Sequence, residues 1–216
     1  MNQTKIRLLM SILGVLISGL SVGLFKRAFL GVDPFQSLMS GLDAVIPIGF
    51  GTLYVIVNAL LLLFSIVFDR HKIGIGTIIN LFLVGYVAEF SLNRLTVWFP
   101  VLPLYGQFIM LLIGIVIMCF ASAFYFTADM GVSTYDAISL VISERQNKVP
   151  FRFCRIISDL ICVITGTLLC LLSGMTWVEV FGVVGIGTII TAFFMGPLID
   201  FFNIHAARPF LEKGSR

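Results

Sequence analysis

The chain has 216 residues, of which 59% are hydrophobic and 12% charged, with a formal net charge of +3. A soluble domain carries about 45–50% apolar and about 25% charged residues, and a chain this small would leave much of the excess apolar surface wet; the bilayer is the solvent that fits. The basic residues sit in short clusters between apolar runs, the pattern of membrane loops, and this argues against a nucleic-acid partner.

Lys5 and Arg7 precede a first apolar run, Leu8–Phe25, and no small-x-small cleavage site follows before Lys26 and Arg27. An uncleaved first span therefore fits better than a signal peptide. A helix needs about 20 mostly apolar residues to cross the hydrocarbon core. Six stretches meet that need: Leu8–Phe25, Thr52–Phe68, Gly74–Leu92, Leu104–Phe126, Phe153–Leu172 and Val178–Phe202. Residues 69–73 form a tight charged turn, 173–177 a tight neutral one, and 93–103 an interfacial loop with Trp98 as anchor. The longer connections, 26–51 and 127–152, each hold a moderately apolar segment too short and polar for an ordinary span.

With the N-terminus inside, six spans put eleven of the fourteen Lys and Arg on the cytoplasmic side: Lys5, Arg7, Arg70, Lys72, Arg145, Lys148, Arg152, Arg155, Arg208, Lys213 and Arg216. Only Lys26, Arg27 and Arg94 fall outside, so both termini are expected in the cytoplasm. An eight-span alternative, with 31–46 and 131–146 crossing fully, moves Arg70 and Lys72 outside and Arg94 inside. Cys119, Cys154, Cys162 and Cys170 show no C-x-x-C spacing and read as small apolar packing residues.

The two halves of the chain resemble each other. Residues 74–90, GIGTIINLFLVGYVAEF, and 185–201, GIGTIITAFFMGPLIDF, are identical at nine of seventeen positions, with Glu89 matching Asp200. Gly31-Val32-Asp33-Pro34-Phe35-Gln36 matches Gly131-Val132-Ser133-Thr134-Tyr135-Asp136 one hundred residues on, and Gly14 matches Gly114. More weakly, Phe50 pairs with Phe151 and Asn58 with Asp159. Three spans per half is an odd number, so the second half inserts upside down. The expectation is a single all-α polytopic membrane domain over 1–216: six spans as two inverted three-span repeats (1–97 and 98–204), each with a short re-entrant or interfacial helix, then a cytoplasmic tail, 205–216.

The G-V-[DS]-[PT]-[FY]-[QD] segments, the G-I-G-T-I-I helices and the length together resemble the YczE/YyaS/YitT group of bacterial membrane proteins, the YczE branch above all, over nearly the whole chain. The resemblance implies a multi-pass protein of the bacterial plasma membrane and supplies no substrate or functional residues.

Polar groups inside hydrocarbon need a partner or a purpose. Asn58 and Asp159 match between halves and could face one central cavity; alternatively Asp159 pairs with Arg155, which shares a helical face with it and Arg152, and Asn58 makes an interhelical hydrogen bond. Asn80 and Thr191 also correspond, as lining of a solute path or as polar packing. Glu89 and Asp200, near span ends, read as gating groups or as snorkelling interfacial carboxylates, and Arg155 as a gating or interfacial cation. Gly31 and Gly131 permit a bend into a short helix, with Asp33-Pro34 as N-cap and first-turn proline, and Ser133 and Thr134 similarly suited. Such helix starts, with Asp33 and Asp136, either present their positive ends to a solute or lie along the interface. Gly19 and Gly23 form a GxxxG, and Gly76 and Gly187 open the repeated helix; both read as close packing, within the chain or in a homodimer.

No catalytic constellation, metal-ligand spacing, cofactor motif or Walker sequence stands out, and an enzyme is the least favoured reading. The leading expectation is a transporter of a small solute or ion, with its site between the repeats. The alternative is a non-transporting scaffold or regulatory partner of another membrane complex.

Overall fold

The computed structural model describes residues 3–69, 73–146 and 151–214. Every regular element among them is helical: α1 (Gln3–Ala28), α2 (Pro34–Val45), α3 (Phe50–Asp69), α4 (Ile75–Trp98), α5 (Leu104–Ala128), α6 (Thr134–Gln146), α7 (Phe151–Leu172), α8 (Trp177–Val183), α9 (Ile186–Phe202) and α10 (Arg208–Gly214), with a π-helical turn, Asn203–Ala207, before α10. Among the described residues, six segments are long and apolar enough to cross a membrane. The helices α2 and α6, of 12 and 13 residues, reach only about 18–20 Å at 1.5 Å per residue, short of the ~30 Å core. The eight-span alternative fails at these two helices. Arg70, His71, Lys72, Lys148 and Arg216 lie outside the described residues, as do the side chains of Arg145 and Arg152.

Small residues set the core. Along α1, Gly76 meets Ser11, Gly19 meets Val84 and Val87, and Gly23 meets Ser91, so α4 runs parallel to α1. Gly14 meets Ala121 and Tyr125 while Gly114 meets Leu24 and Phe25, so α5 runs antiparallel to it. A methyl group on Gly19 would lie 2.7 Å from Val87 Cβ. The GxxxG face is thus filled within the chain by α4 and is not free to hold a second copy. Without a hydrophobic drive between helices in lipid, such close packing and buried hydroxyls hold the bundle: Ser21 Oγ donates to Gly114 O at 2.7 Å and Ser91 Oγ to Leu20 O at 3.0 Å.

The helix α3 runs antiparallel to α4, with Gly51 against Tyr86 and Gly85 against Tyr54. The helix α7 is two-faced. Ile156, Leu160, Ile164 and Leu168 are exposed, which is what a lipid-facing stripe requires, while Ser158 and Gly166 meet Ser139 of α6 and Ser37 of α2. All four cysteines are free and buried.

The stretch read from sequence as one span, Val178–Phe202, is broken between α8 and α9. The segment Leu30–Val32 supplies the backbone partners that the break frees: Gly31 N donates to Gly182 O and Val32 N to Val183 O, both at 3.0 Å, and Gly187 N donates to Leu30 O at 2.7 Å. Irregular backbone at membrane depth is tolerated when protein satisfies it in this way. A closely similar junction forms in the other half, where Gly76 N donates to Met130 O at 2.8 Å and Thr77 Oγ1 to Val132 O at 2.7 Å. The sequence match at one hundred residues is also a backbone match: Phe29 and Asp129 are left-handed at φ 57° and 51°, and Gly31 and Gly131 have φ 104° and 113°. A Cβ on either glycine would lie 2.5 Å from the backbone nitrogen of Gly185 or Gly74 respectively, so glycine is required twice over.

Beyond α9 the expected tail does not leave the bundle. Ala207 is fully buried in a cluster with Ile6, Met10 and Phe124, and the Phe124 and Phe210 rings lie 5.5 Å apart.

Candidate functional site: a charged cavity where two short helices begin

The Gly31 and Gly131 bends aim the starts of α2 and α6 at each other. The rings of Phe35 and Tyr135, equivalent residues of the two halves, stack at 4.9 Å and 25°, and Tyr54 meets Phe35 edge-on at 5.8 Å. Each start is capped from its own chain. Asp33 accepts from Gln36 N at 3.1 Å, ahead of Pro34 in the first turn. Ser133 Oγ accepts from Asp136 N at 3.1 Å and donates to Asp136 Oδ2 at 2.6 Å. The N-cap expected at Asp33 is therefore present, and in α6 the cap is Ser133.

Beside the stacked rings lies a cavity of about 580 Å³, walled by α1, α3, α4, α5, α7 and α9 and by the two helix starts. This is in the range of small-molecule sites, about 300–1,000 Å³. All six residues proposed from sequence as solute contacts line it, from five helices and the cap of a sixth: Asn58, Asp159, Asn80, Thr191, Asp136 and Asp33.

Two polar clusters occupy the walls. On α3, the buried Asn58 donates from Nδ2 to Tyr54 O at 2.8 Å, and its Oδ1 accepts from Thr134 Oγ1 at the start of α6. This is the interhelical bond expected for Asn58. On α7, Arg155 Nε donates to Asp159 Oδ1 at 3.1 Å, and Arg155 Nη1 pairs with Asp136. The guanidinium lies 4.5 Å from the centre of the Tyr135 ring, and Tyr135 OH donates to Asp159 at 2.7 Å. The structural pairing of Arg155 with Asp159 is thus present and belongs to the cavity wall, which Arg155 also lines.

Glu89 and Asp200 lie apart from the cavity. Glu89 Oε2 accepts from Gly51 N at 3.0 Å and so pins the start of α3 to α4. Asp200 is exposed. Of the packing glycines, Gly76 and Gly187 seat the two bends and Gly19 and Gly23 seat α4 on α1. Sequence reasoning assigned no role to Phe35, Tyr135, Tyr54 or Gln36. The first two stood in the matched segments, and their common aromatic character at one hundred residues' separation was the available signal.

The model of a family of unknown function (DUF6198) matches residues 5–204. The chain belongs to that family. It is similar to the uncharacterized protein YyaS of Bacillus subtilis (strain 168), 26% identical over 204 residues, 94% of this chain and 96% of the relative. It is also similar to the uncharacterized membrane protein YczE of the same organism, 27% identical over 188 residues, 87% of this chain and 80% of the relative. An uncharacterized protein of Haemophilus influenzae is 27% identical over 196 residues, 89% and 82% of the two chains. No solved structure matches. This member of the family is a multi-pass helical membrane protein, in keeping with the resemblance read from its sequence.

Proposed function

We propose that the chain is a membrane transporter of a small solute, with its binding site in the cavity between the two helix starts. The observation that carries this reading is the convergence of α2 and α6, broken segments from matched positions of the two halves, on one cavity lined by charged groups. Secondary transporters place substrate sites at the interface of inverted repeats, on the ends of discontinuous helices. The contact pattern supports the same reading: α1 is antiparallel to its counterpart α5, and α3 antiparallel to the neighbouring α4. On this account residues 1–97 and 98–204 are inverted repeats, α2 and α6 are re-entrant, and the protein sits in the plasma membrane with both termini in the cytoplasm. With no Walker motif in the sequence, any energy source would be an ion gradient or a partner ATPase.

The test is solute flux into liposomes containing the purified protein, with Asp159→Asn and Asn58→Leu beside the wild type. A transporter moves at least one member of a panel of small cationic, anionic and neutral solutes, and Asp159→Asn alters that flux in protein that still folds. Flux indistinguishable from empty liposomes across the panel overturns the reading and leaves the non-transporting partner in its place.

A further inference from the structure

The cavity walls carry a charge imbalance that specifies what they would hold. Three carboxylates, Asp33, Asp136 and Asp159, face one guanidinium, Arg155. The starts of α2 and α6 add about half a positive charge each. The cavity is therefore left with a surplus of about one negative charge. The surplus is not spread evenly. Arg155 already serves Asp136 and Asp159, whereas the half-buried Asp33 has no cation within ion-pairing distance among the described residues and accepts from the backbone of its own cap.

A second, independent observation lies three residues on. The side chain of Gln36 is 96% buried (4% exposed) and lines the cavity, yet its Oε1 accepts no hydrogen bond among the described residues. A buried acceptor left without a donor costs about 1–3 kcal/mol; this oxygen is itself closed to the cavity, so it meets a ligand's donor by a turn of the Gln36 amide toward the space that the residue lines. Gln36 and Asp33 share the first turn of α2 and its cap, so both acceptors stand on the same wall. The Phe35, Tyr54 and Tyr135 rings line the same cavity, and aromatic faces attract cations once water is excluded. Arg155 on the face of Tyr135 shows that this wall accepts a planar cation.

We infer that the cavity takes a small monovalent organic cation, an ammonium or guanidinium compound, with Asp33 as its counter-ion and Gln36 Oε1 as a hydrogen-bond acceptor. The inference rests on the transport reading for its consequence but not for its test. A bare metal ion needs a compact shell of oxygens and not aromatic walls around some 580 Å³; an anion would meet a surplus of its own sign. The Arg155 guanidinium is an internal competitor, holding Asp136 and Asp159 when no ligand is bound.

The experiment is equilibrium binding to the purified full chain in detergent, with radiolabelled guanidinium and tetraethylammonium as probes and sodium, benzoate and glucose as comparators. Saturable binding of at least one organic cation is expected, weakened about tenfold or more by Asp33→Asn and several-fold by Gln36→Leu for guanidinium, the probe that donates hydrogen bonds. Neither substitution removes a salt bridge, so both variants should fold; a thermal melt unchanged from wild type checks this. Arg155→Gln gives a change of sign: it tightens cation binding if the protein folds, and it abolishes binding if the ligand is an anion. Binding of benzoate, glucose or sodium alone, or cation binding unaffected by Asp33→Asn, overturns the inference while leaving a solute site in place. Cation binding without flux in liposomes overturns the transport reading and leaves the cation site standing.

Discussion

The two halves place equivalent residues at the cavity and then use them differently. In the first half the wall residue is Asn58, which meets Thr134 of the opposing helix start in a neutral bond. In the second half the equivalent residue is Asp159, and the opposing start offers Pro34, which has no hydroxyl to donate. Asp159 turns instead to Arg155 and Tyr135. One half of the repeat therefore supplies a neutral hydrogen-bonded brace and the other a charged network, on nearly the same backbone. The difference teaches that the repeat conserves shape through its glycines and caps, while the substitutions Pro34/Thr134, Gln36/Asp136 and Asn58/Asp159 build the electrostatics of the cavity.

The largest effect expected from breaking this comparison is at Arg155. Arg155→Leu leaves two carboxylates facing the cavity without their cation, and about 3–5 kcal/mol of stability should be lost, read as a lowered melting temperature in detergent. The triple variant with Asp136→Asn and Asp159→Asn should recover most of it; no recovery would show that Arg155 acts through packing. Next come the two bends. Gly31→Ala and Gly131→Ala, at φ 104° and 113° with backbone in the way, should each cost about 2–4 kcal/mol. Unequal losses in the same melts would show that the halves do not share one backbone solution.

A smaller loss is expected on the neutral side. Thr134→Val removes one interhelical hydrogen bond and should cost about 0.5–1.5 kcal/mol, with a larger cost when Asn58→Leu is made alone than when it is added to Thr134→Val, a coupling that a double-mutant cycle measures. The smallest effects separate the matched carboxylates Glu89 and Asp200. Glu89→Gln weakens a bond to Gly51 N and should cost about 1 kcal/mol. Asp200→Asn, exposed, should change stability by less than about 0.5 kcal/mol. Equal effects would sink the distinction between a pinning and a surface carboxylate.

The spans were legible in the sequence because lipid demands long apolar runs, and the repeat was legible because Gly31, Gly131, Gly76 and Gly187 are positions where geometry admits nothing larger. The α8–α9 break was not legible. The apolar run through Val184 is continuous, and the helix parts there because Leu30, Gly31 and Val32, from the other half, take over its backbone hydrogen bonds. Arg155 was read correctly against Asp159, four residues along one helix, but its pairing with Asp136 crosses from α7 to α6 and leaves no periodic trace. The bond of Glu89 to α3 likewise left no trace, because its partner is a backbone N–H, which no side-chain pattern records. The Phe35–Tyr135 stack exists only because the two bends face each other.

The central claim is that two inverted halves bring α2 and α6 to one cavity from opposite sides of the membrane. It is tested most directly by single cysteines at Ile48 and Lys148, beyond the far ends of these helices, on a background with the four native cysteines replaced by alanine. The account predicts that a membrane-impermeant maleimide added to intact cells labels Ile48→Cys and labels Lys148→Cys only after the cells are opened. Labelling of both positions from the same side would contradict it.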